Sequence, residues 1–347
     1  HDAVKAELQF MLDKNIIARV EEPTDMVNAI VIVKKPNNAI RICLDPTYLN
    51  QYLKREQFAL PTFEDLTSKM SGSKWFSKLD ANKGFYMIKL DEPSSYLTTF
   101  NTPFGRFRYL RLPFGLNISS EIFDRVFSQI FEGIPNLVIF RDDLKLHAST
   151  VTEHNKGLKA VFDRARAAGV QFNGAKCKFL QRKLIFMGHS FSSEGISPDP
   201  AKVNAIIDYP KPNDVQAMQR FLGLVTYVGK FIPNLAEKTA PLREIIKDKN
   251  VWHWDKPQEV AFQNIKAIIA QTQMLKFYDV HKDVVLSVDA SKKGVGAVLL
   301  QEGFPLLFAS RALTETQQAW AQIEKEMFAI LYGCERYYQY IYGKTTT

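Results

Sequence analysis

The sequence has little cysteine and no long apolar segment. Its three cysteines, Cys43, Cys177 and Cys334, lie far apart and form no Cys-x-x-Cys pair. This argues against a disulfide framework or a zinc site and fits a reducing compartment. No apolar run approaches the roughly 20 residues of a membrane span, so we expect no membrane-spanning helix. Solenoid repeats, low-complexity segments and a signal peptide are also missing. Because the chain starts at His1 without methionine, we interpret it as a piece of a longer protein.

What the chain does have is an ordinary globular composition with an excess of positive charge. Its 347 residues are 46% hydrophobic and 24% charged, which predicts two or three folded domains. Lysine and arginine number 45 against 37 acidic residues, giving a net charge of +8. The excess predicts a polyanionic partner such as nucleic acid, with a merely basic surface as an equal alternative.

The hydrophobic pattern changes twice along the chain. Up to about residue 198, amphipathic helices alternate with short β-branched runs, which predicts an α+β region. From 199 to about 275 the pattern is helical, with proline-containing turns between helices. Strand patterns return after about 276, and one long helix is predicted from about Thr314 to the last residues.

Two segments end an apolar strand pattern in carboxylates. "VIFRDD" places Arg141, Asp142 and Asp143 after the strand residue Phe140, and "WFSKLD" ends in Asp80. Alternation on both sides of the Asp pair predicts a β-hairpin with aspartates in the turn. Adjacent carboxylates repel, however, and so call for a cation or a raised pKa. If the strands are neighbours, three carboxylates converge and can hold two Mg²⁺ ions for phosphoryl transfer. Two unrelated acidic turns remain the alternative.

Seven segments occur in one order along the chain: "FSKLDANKGFYMIKL", "TTFNTPFGRFRYLRLPFGL", "VIFRDD", "IFMGH", "GISPDPAKVNAI", "FLGLVTYVGKFIPN" and "LSVDASKKGVGAVL". Together they closely resemble the reverse transcriptase of gypsy-type LTR retrotransposons and its retroviral relatives, over essentially the whole chain. The resemblance implies an α+β right-hand polymerase followed by a truncated RNase H-like α/β domain. Fingers and palm would occupy residues 1–198, a helical thumb 199–275, and the RNase H-like part 276–347.

The resemblance implies a polymerase active site with two metal ions. Asp80, Asp142 and Asp143 match the catalytic carboxylates, which would hold Mg²⁺, or alternatively Mn²⁺. The ions would activate the primer 3′-hydroxyl and neutralise the incoming triphosphate. Phe85 matches the steric-gate position, where a ring occupies the space of a ribose 2′-hydroxyl. An ordinary core phenylalanine would be equally compatible with the composition of the chain. The spacing of Phe85 from Asp80 favours the gate.

The resemblance also implies nucleotide contacts from the fingers. Arg41 matches the arginine that grips the triphosphate, and either Lys34 or Lys35 matches its lysine partner. Guanidinium suits bidentate phosphate contact, whereas lysine acts as a point charge. A solvated basic hairpin is the alternative for these three residues. Phe114 and Gly115, in "LPFGL", match a loop that packs against nucleotide and template.

Primer and template contacts are implied at two further places. Met187 and Gly188 match the primer-grip hairpin, and Gly223 and Tyr227 match the thumb helix along the duplex minor groove. A helix with an incidental glycine is the alternative for Gly223.

The sequence departs from the family pattern in two segments. After "PFGL" the family has x-Asn-Ala-Pro, and this chain has 117–120 as Asn-Ile-Ser-Ser. Phe140 and Arg141, predicted to face primer and template, stand where the family has tyrosine and an apolar residue. Phe140 lacks the hydroxyl, and Arg141 is a bulky cation. Arg141 either pairs with an aspartate and competes with Mg²⁺, crowds the nucleotide sugar, or contacts a primer phosphate.

The last part resembles RNase H at two acidic positions. Asp289 matches the first metal carboxylate of that fold and Glu326 the helix glutamate. The family needs further aspartates that this chain does not contain after its next strand. We therefore predict no RNase H activity from the chain as it stands.

The function that the resemblance implies is that of an RNA-directed DNA polymerase. Its partners would be an RNA/DNA template–primer duplex and dNTPs, with a second copy or other polyprotein parts as further candidates. The predicted location is intracellular, either cytoplasmic in a virus-like particle or nuclear. The competing hypothesis is a catalytically impaired, polymerase-derived nucleic-acid-binding protein. A basic structural protein with unrelated acidic turns is the weaker rival. The intact carboxylates favour the enzyme, and the altered neighbours favour the impaired descendant.

Overall fold

The chain folds into two compact units. The computed structural model describes residues 2–34, 39–55, 58, 62–82, 84–247, 252–272 and 274–347. The first unit comprises residues 1–62 and 75–181, and the second comprises 63–74 and 182–347. The boundaries at 198 and 275 that the sequence predicts divide the chain on another basis and stay a prediction.

The helices and strands are given in chain order. Up to residue 181 they are α1 (Asp2–Asp13), β1 (Ile17–Arg19), β2 (Ala29–Lys34), β3 (Ile40–Asp45), α2 (Phe63–Lys69), β4 (Trp75–Asp80), α3 (Glu92–Leu97), β5 (Phe100–Thr102), β6 (Gly105–Tyr109), α4 (Ser119–Ile130), β7 (Leu137–Phe140), β8 (Asp143–Ala148), α5 (Val151–Ala168) and β9 (Lys178–Gln181). From residue 182 they are β10 (Lys183–Phe186), β11 (His189–Ser192), β12 (Gly195–Pro198), α6 (Pro200–Ile207), α7 (Val215–Tyr227), α8 (Leu235–Lys238), α9 (Ala240–Glu244), α10 (Lys256–Ala270), β13 (Val285–Ala290), β14 (Gly294–Gln301), β15 (Phe304–Ala312), α11 (Glu315–Gln318), α12 (Gln322–Arg336) and α13 (Tyr338–Ile341).

The central sheet of the first unit has the order β7-β8-β4-β9, with antiparallel pairing throughout. β7 and β8 form the predicted hairpin, in which Phe140 pairs with Asp143 and two residues form the loop. β4 pairs with β8 in a register that places Asp80 opposite Asp143. The two strands that end in carboxylates are therefore direct neighbours.

Aromatic packing supports this sheet. Phe123, Phe127 and Phe131 recur every four residues along α4 and at its end, and each is at most 2% exposed. They pack in one cluster with Leu79 of β4 and Leu144 of β8. Full burial of one such ring contributes roughly 1.5–3 kcal/mol. The strand ends that carry the acids are thus supported by a well-packed hydrophobic cluster.

The rest of the first unit surrounds a second core. The sheet β1-β6-β5 and the hairpin β2-β3 pack with α1, and the shared cluster includes Leu8, Met11, Ile42, Phe107 and Tyr109. Strand β3 contributes Ile42 and Leu44 to this cluster, which fixes the strand that carries Arg41.

The second unit contains α2 and everything from β10 on. Its sheets have the orders β10-β11-β12 and β13-β14-β15. Asp199 and Asp214 immediately precede helices α6 and α7, and their carboxylates accept backbone N–H groups of the first turn. Helix α7 buries Met218, Phe221 and Val225, as its helical spacing predicts.

The prediction of a single long helix near the end of the chain is wrong. Helices α11, α12 and α13 replace it. The Glu324 carboxylate accepts the backbone N–H of Ala321 at 2.7 Å, so a new helix start forms in the middle of the predicted one. After α13 the chain turns back, and Thr346 pairs in parallel with Val284.

Two further expectations from the sequence concern disulfide bonds and membrane-spanning helices. The three cysteines form no disulfide bond and are partly buried. Among the described residues, no helix combines the length and the apolar character that crossing a membrane requires.

Candidate active site

A cleft of about 620 Å³ in the first unit holds two of the predicted acids. Asp80 and Asp142 both line it. Asp80 is 6% exposed at the end of β4, whereas Asp142 is an exposed loop residue. The backbone N–H of Ala81 donates to the Asp142 carbonyl at 2.9 Å, which ties the loop to the end of β4. Two carboxylates on one accessible cleft are a donor set that suits Mg²⁺ with substrate phosphates.

The third predicted acid, Asp143, is paired with two lysines. Its carboxylate contacts the ammonium groups of Lys78 at 3.0 Å and Lys145 at 3.1 Å. Lys145 is fully buried, and this burial lowers the pKa of its ammonium to about 8 against the opposing charge of Asp143. Asp143 does not line the cleft. Within the described ranges, no three acidic, histidine or cysteine side chains form a ready-made metal site. The role of Asp143 as a third metal carboxylate therefore stays a prediction.

Lys176 is a cleft residue that sequence reasoning missed. Its ammonium lies 3.3 Å from the Asp80 carboxylate, and its side chain is 61% exposed. The Asp80 carbonyl accepts the N–H of Asn173 at 2.8 Å, and Ala81 bridges to Phe172. These contacts bind the segment 171–177 to the end of β4. The sequence offered one signal, the strand pattern of "QFN" at residues 171–173, and a strand pattern does not show which strand lies beside it.

Three of the predicted nucleotide-binding residues contact one another in the same cleft. The rings of Phe85 and Phe114 lie 4.8 Å apart, and the Arg41 guanidinium lies over the Phe114 ring at 4.5 Å. All three line the cleft. Lys34 is exposed at the end of β2 and is not among the lining residues, whereas Lys35 lies outside the described residues.

Gly115 holds the "LPFG" loop against β3. It has a φ of 117°, and a β-carbon there would lie 1.9 Å from the Leu44 carbonyl oxygen. Next to it, the Leu44 N–H donates to the Phe114 carbonyl at 2.9 Å. Only glycine allows this approach, which brings Phe114 to the strand that carries Arg41.

The departure at residues 117–120 leaves an ordered turn. The N–H of Asn117 donates to the Asn50 side chain at 3.0 Å, and the Asn117 amide group donates to the Asn50 carbonyl at 3.1 Å. Ser119 is buried, and its hydroxyl donates to the Pro113 carbonyl at 2.8 Å. Residues 117–120 thus hold this turn with hydrogen bonds of their own.

The second departure places a cation in the turn between β7 and β8, near a buried acid. Arg141 has a φ of 56°, and its guanidinium lies 5.6 Å from the Phe140 ring centre. Arg141 and Asp124 of α4 both line the cleft. Burial raises the pKa of Asp124 to about 6, and the charge of Arg141 opposes this. The sequence did contain a signal for Asp124, because it lies on the apolar stripe of α4 beside Phe123.

The predicted primer-grip turn and thumb helix meet in the second unit. Met187 and Gly188 both have positive φ, at 46° and 63°. The Met187 carbonyl accepts two hydrogen bonds of 2.5 Å, from the Tyr227 hydroxyl and from Nδ1 of His189. A β-carbon on Gly188 would lie 2.3 Å from the Tyr227 hydroxyl oxygen. Gly223 is exposed with open space around it.

The two predicted RNase H acids lie on facing elements of the second unit. Asp289 lies near the end of β13, and Glu326 lies on α12. Gln322 links the two elements, because its amide donates to the Ala290 carbonyl at 2.8 Å and to the Glu326 carboxylate at 2.7 Å. The absence of RNase H activity stays a prediction.

Comparison with protein families and known proteins adds to this geometry. Residues 30–191 match the family "Reverse transcriptase (RNA-dependent DNA polymerase)", and residues 254–347 match "RNase H-like domain found in reverse transcriptase". The retrovirus-related Pol polyprotein from transposon 297 of Drosophila melanogaster is 32% identical over 98% of this chain. The chain spans about a third of that relative, 33% of its length.

Two solved structures show the same fold. The foamy viral protease-reverse transcriptase dRH in complex with double-stranded DNA has a TM-score of 0.90 at 22% identity, over 99% of this chain and 61% of that one. The foamy viral protease-reverse transcriptase in complex with an RNA/DNA hybrid has a TM-score of 0.87 at 21% identity, over 99% and 47%. The predicted polymerase fold followed by an RNase H-like domain is confirmed. Members of this family are in general dependent on divalent metal ions. The chain belongs to the reverse transcriptase family and is similar to the Pol polyproteins of retrotransposons.

Proposed function

We propose that this chain is an RNA-directed DNA polymerase that extends a primer with dNTPs on an RNA or DNA template. The observation that carries the proposal is one cleft lined by the carboxylates of Asp80 and Asp142 together with Arg41, Phe85 and Phe114. Mg²⁺ held by Asp80 and Asp142 would neutralise the triphosphate and activate the primer 3′-hydroxyl, and Mn²⁺ is an alternative ion.

The chain's own residues would bind and select the nucleotide. Arg41 is suited to bidentate contact with phosphate oxygens, and its stacking on Phe114 restricts the guanidinium before substrate arrives. Phe85 is wedged between Phe114 at 4.8 Å and Phe123 at 5.5 Å. A ring fixed on two sides cannot swing away from a ribose 2′-hydroxyl, and this is the property that a steric gate needs.

The proposed partners are a template–primer duplex and dNTPs. The relatives solved with double-stranded DNA and with an RNA/DNA hybrid support a duplex partner, as does the net charge of +8. Met187 and Gly188 would face the primer end, and Gly223 leaves open space on α7 for a close backbone approach. A second copy or other parts of the polyprotein are further candidate partners. The wide spacing and odd number of the cysteines support an intracellular site of action, in a cytoplasmic particle or the nucleus.

The second candidate is a binding protein that has lost synthesis. Two observations favour it: Asp143 is engaged by Lys78 and Lys145, and the cationic Arg141 adjoins Asp142. Primer extension with dNTPs on RNA and DNA templates distinguishes the two, with Asp142→Asn as the matched control. Extension by the parent and none by Asp142→Asn supports the polymerase. Duplex binding without extension in Mg²⁺ or Mn²⁺ supports the binding protein.

A further inference from the structure

Four charged residues lie on two neighbouring strands in mirrored order. β4 carries Lys78 and Asp80 two residues apart, and β8 carries Asp143 and Lys145 in the reverse order. The antiparallel register places Lys78 opposite Lys145 and Asp80 opposite Asp143. Because residues two apart on a strand share a face with their cross-strand partners, all four side chains lie on one face of the sheet. The sequence therefore builds a square of two cations and two anions at the strand ends.

Within this square, Asp143 uses both of its carboxylate oxygens for lysine. Its Oδ1 lies 3.0 Å from the Lys78 ammonium, and its Oδ2 lies 3.1 Å from the Lys145 ammonium. The other acid, Asp80, has a different cation, because the Lys176 ammonium lies 3.3 Å from its carboxylate. The charges of Lys78 and Lys145 are thus directed at Asp143.

Burial makes one of these two ion pairs much harder to separate than the other. The side chain of Lys145 is 0% exposed, whereas those of Lys78 and Asp143 are 29% and 28% exposed. If the carboxylate leaves, Lys78 can turn to water, but an ammonium as deep as that of Lys145 would stay buried at a large cost. Lys145 is therefore the stronger hold on Asp143.

These contacts determine which acids a metal ion meets. Asp80 and Asp142 line the cleft, and Asp143 does not. A cation that approaches Asp143 meets an ammonium group at each oxygen, and repulsion between like charges weakens its binding. Resting on the polymerase function proposed above, we propose that Lys145, supported by Lys78, is a positioning residue that draws the Asp143 carboxylate away from the metal ions. A divalent ion in the cleft then has two carboxylates instead of three.

Metal binding by the free protein is, on this basis, a competition between the ion and the lysines for Asp143. Removing the charge of Lys145 should strengthen metal binding, and the gain should depend on the Asp143 carboxylate. A lysine that only fills space would give no gain. A general effect of one lost positive charge would give a gain that persists without Asp143.

The test is a double-mutant cycle of Lys145→Met and Asp143→Asn in the full chain. Electron paramagnetic resonance measures Mn²⁺ binding by the free protein, and thermal unfolding without metal measures stability. Lys178→Met is the matched control, because Lys178 is exposed on β9, on the other side of β4, and its removal changes the net charge by the same amount. Lys145→Leu is the second variant if the methionine chain fails to fold.

We expect Lys145→Met to raise Mn²⁺ affinity about fivefold or more, the scale of one lost ion pair at a partly buried carboxylate. In the Asp143→Asn background the same substitution, like Lys178→Met in the parent, should change Mn²⁺ affinity by less than about twofold. Asp143→Asn alone should lower Tm by at least about 5 °C, since it leaves the buried ammonium without its carboxylate, and adding Lys145→Met should restore most of that loss.

Three results overturn the proposal. They are an Mn²⁺ affinity of Lys145→Met that does not exceed that of the parent, a gain that persists in the Asp143→Asn background, and Mn²⁺ binding by neither protein. A parent that extends no primer refutes the polymerase function alone, because the Mn²⁺ cycle does not depend on synthesis.

Discussion

His189 makes the second unit sensitive to acid. Its ring is 3% exposed, and Nδ1 donates to the Met187 carbonyl while Nε2 has no partner in the described structure. Burial lowers the pKa of the imidazole to about 4, and the ammonium of Lys230 lowers it further, against the Met187 carbonyl and Asp199. The ring is therefore neutral in the folded protein at pH 7.

The direction of the pH dependence follows from the pKa of His189 in the folded and the unfolded protein. In the unfolded chain the pKa is 6.5, so the unfolded state binds a proton below that pH while the folded state does not until about pH 4. Stability is thus complete above about pH 6.5 and is lost as pH falls toward 4. A pKa difference of this size corresponds to about 3 kcal/mol at 1.4 kcal/mol per pH unit.

Urea unfolding of the parent and of His189→Phe, at several pH values from 7.5 to 4, measures this effect. Phenylalanine preserves the contacts with the Phe63, Tyr227 and Phe231 rings but removes the titrating group. We expect the parent to lose about 3 kcal/mol more than the variant between pH 6.5 and 4. Histidine proton resonances supply an independent measurement. If His189 titrates near pH 6.5 in the folded protein, or if both proteins lose stability in parallel, the reasoning is refuted.

Four further predictions concern the proposed polymerase. Phe85→Val should admit rNTPs in single-nucleotide extension, and unchanged discrimination would assign Phe85 to the core alone. Duplex affinity should fall steeply from 50 to 200 mM salt in filter binding, because phosphate contacts release counterions, and a flat response would contradict the basic interface. Tyr227→Phe should lower extension from a primer end by a few fold, since the Met187 carbonyl loses a hydrogen bond worth about 1 kcal/mol, with intact dNTP KM as the control. Gly115→Ala should destabilise the first unit by more than about 1 kcal/mol in urea unfolding, with Gly223→Ala as the open-surface control.

The sequence was sufficient for features that depend on local pattern. Alternation around the Asp pair predicted the β7–β8 hairpin, and apolar runs ending in acids predicted two strand ends that the structure places side by side, with Asp80 opposite Asp143. The ordered motifs were sufficient for the family and the fold, which the comparisons confirm. The assignment of roles to individual site residues stays a prediction.

The hydrophobic pattern of the sequence could not predict contacts between segments that lie far apart along the chain. The alternation of Leu144, Lys145, Leu146 and His147 predicts one buried and one polar face, yet all four side chains are at most 2% exposed. β8 lies between β7 and β4, and both of its faces are covered. A lysine in such a strand needs an acid within reach, and only the folded register shows that this acid is Asp143.

The adjacency of Asp142 and Asp143 first suggested a metal, because two carboxylates side by side need positive charge. The structure supplies that charge differently to each. Asp143 receives it from Lys78 and Lys145 on the sheet, whereas Asp142 faces the cleft beside Asp80. Repulsion between the pair is therefore relieved before any ion binds, and only Asp142 still calls for a cation. In the proposed polymerase, Asp80 and Asp142 would therefore hold the metal, and Asp143 would join them as a third carboxylate only by leaving its two lysines.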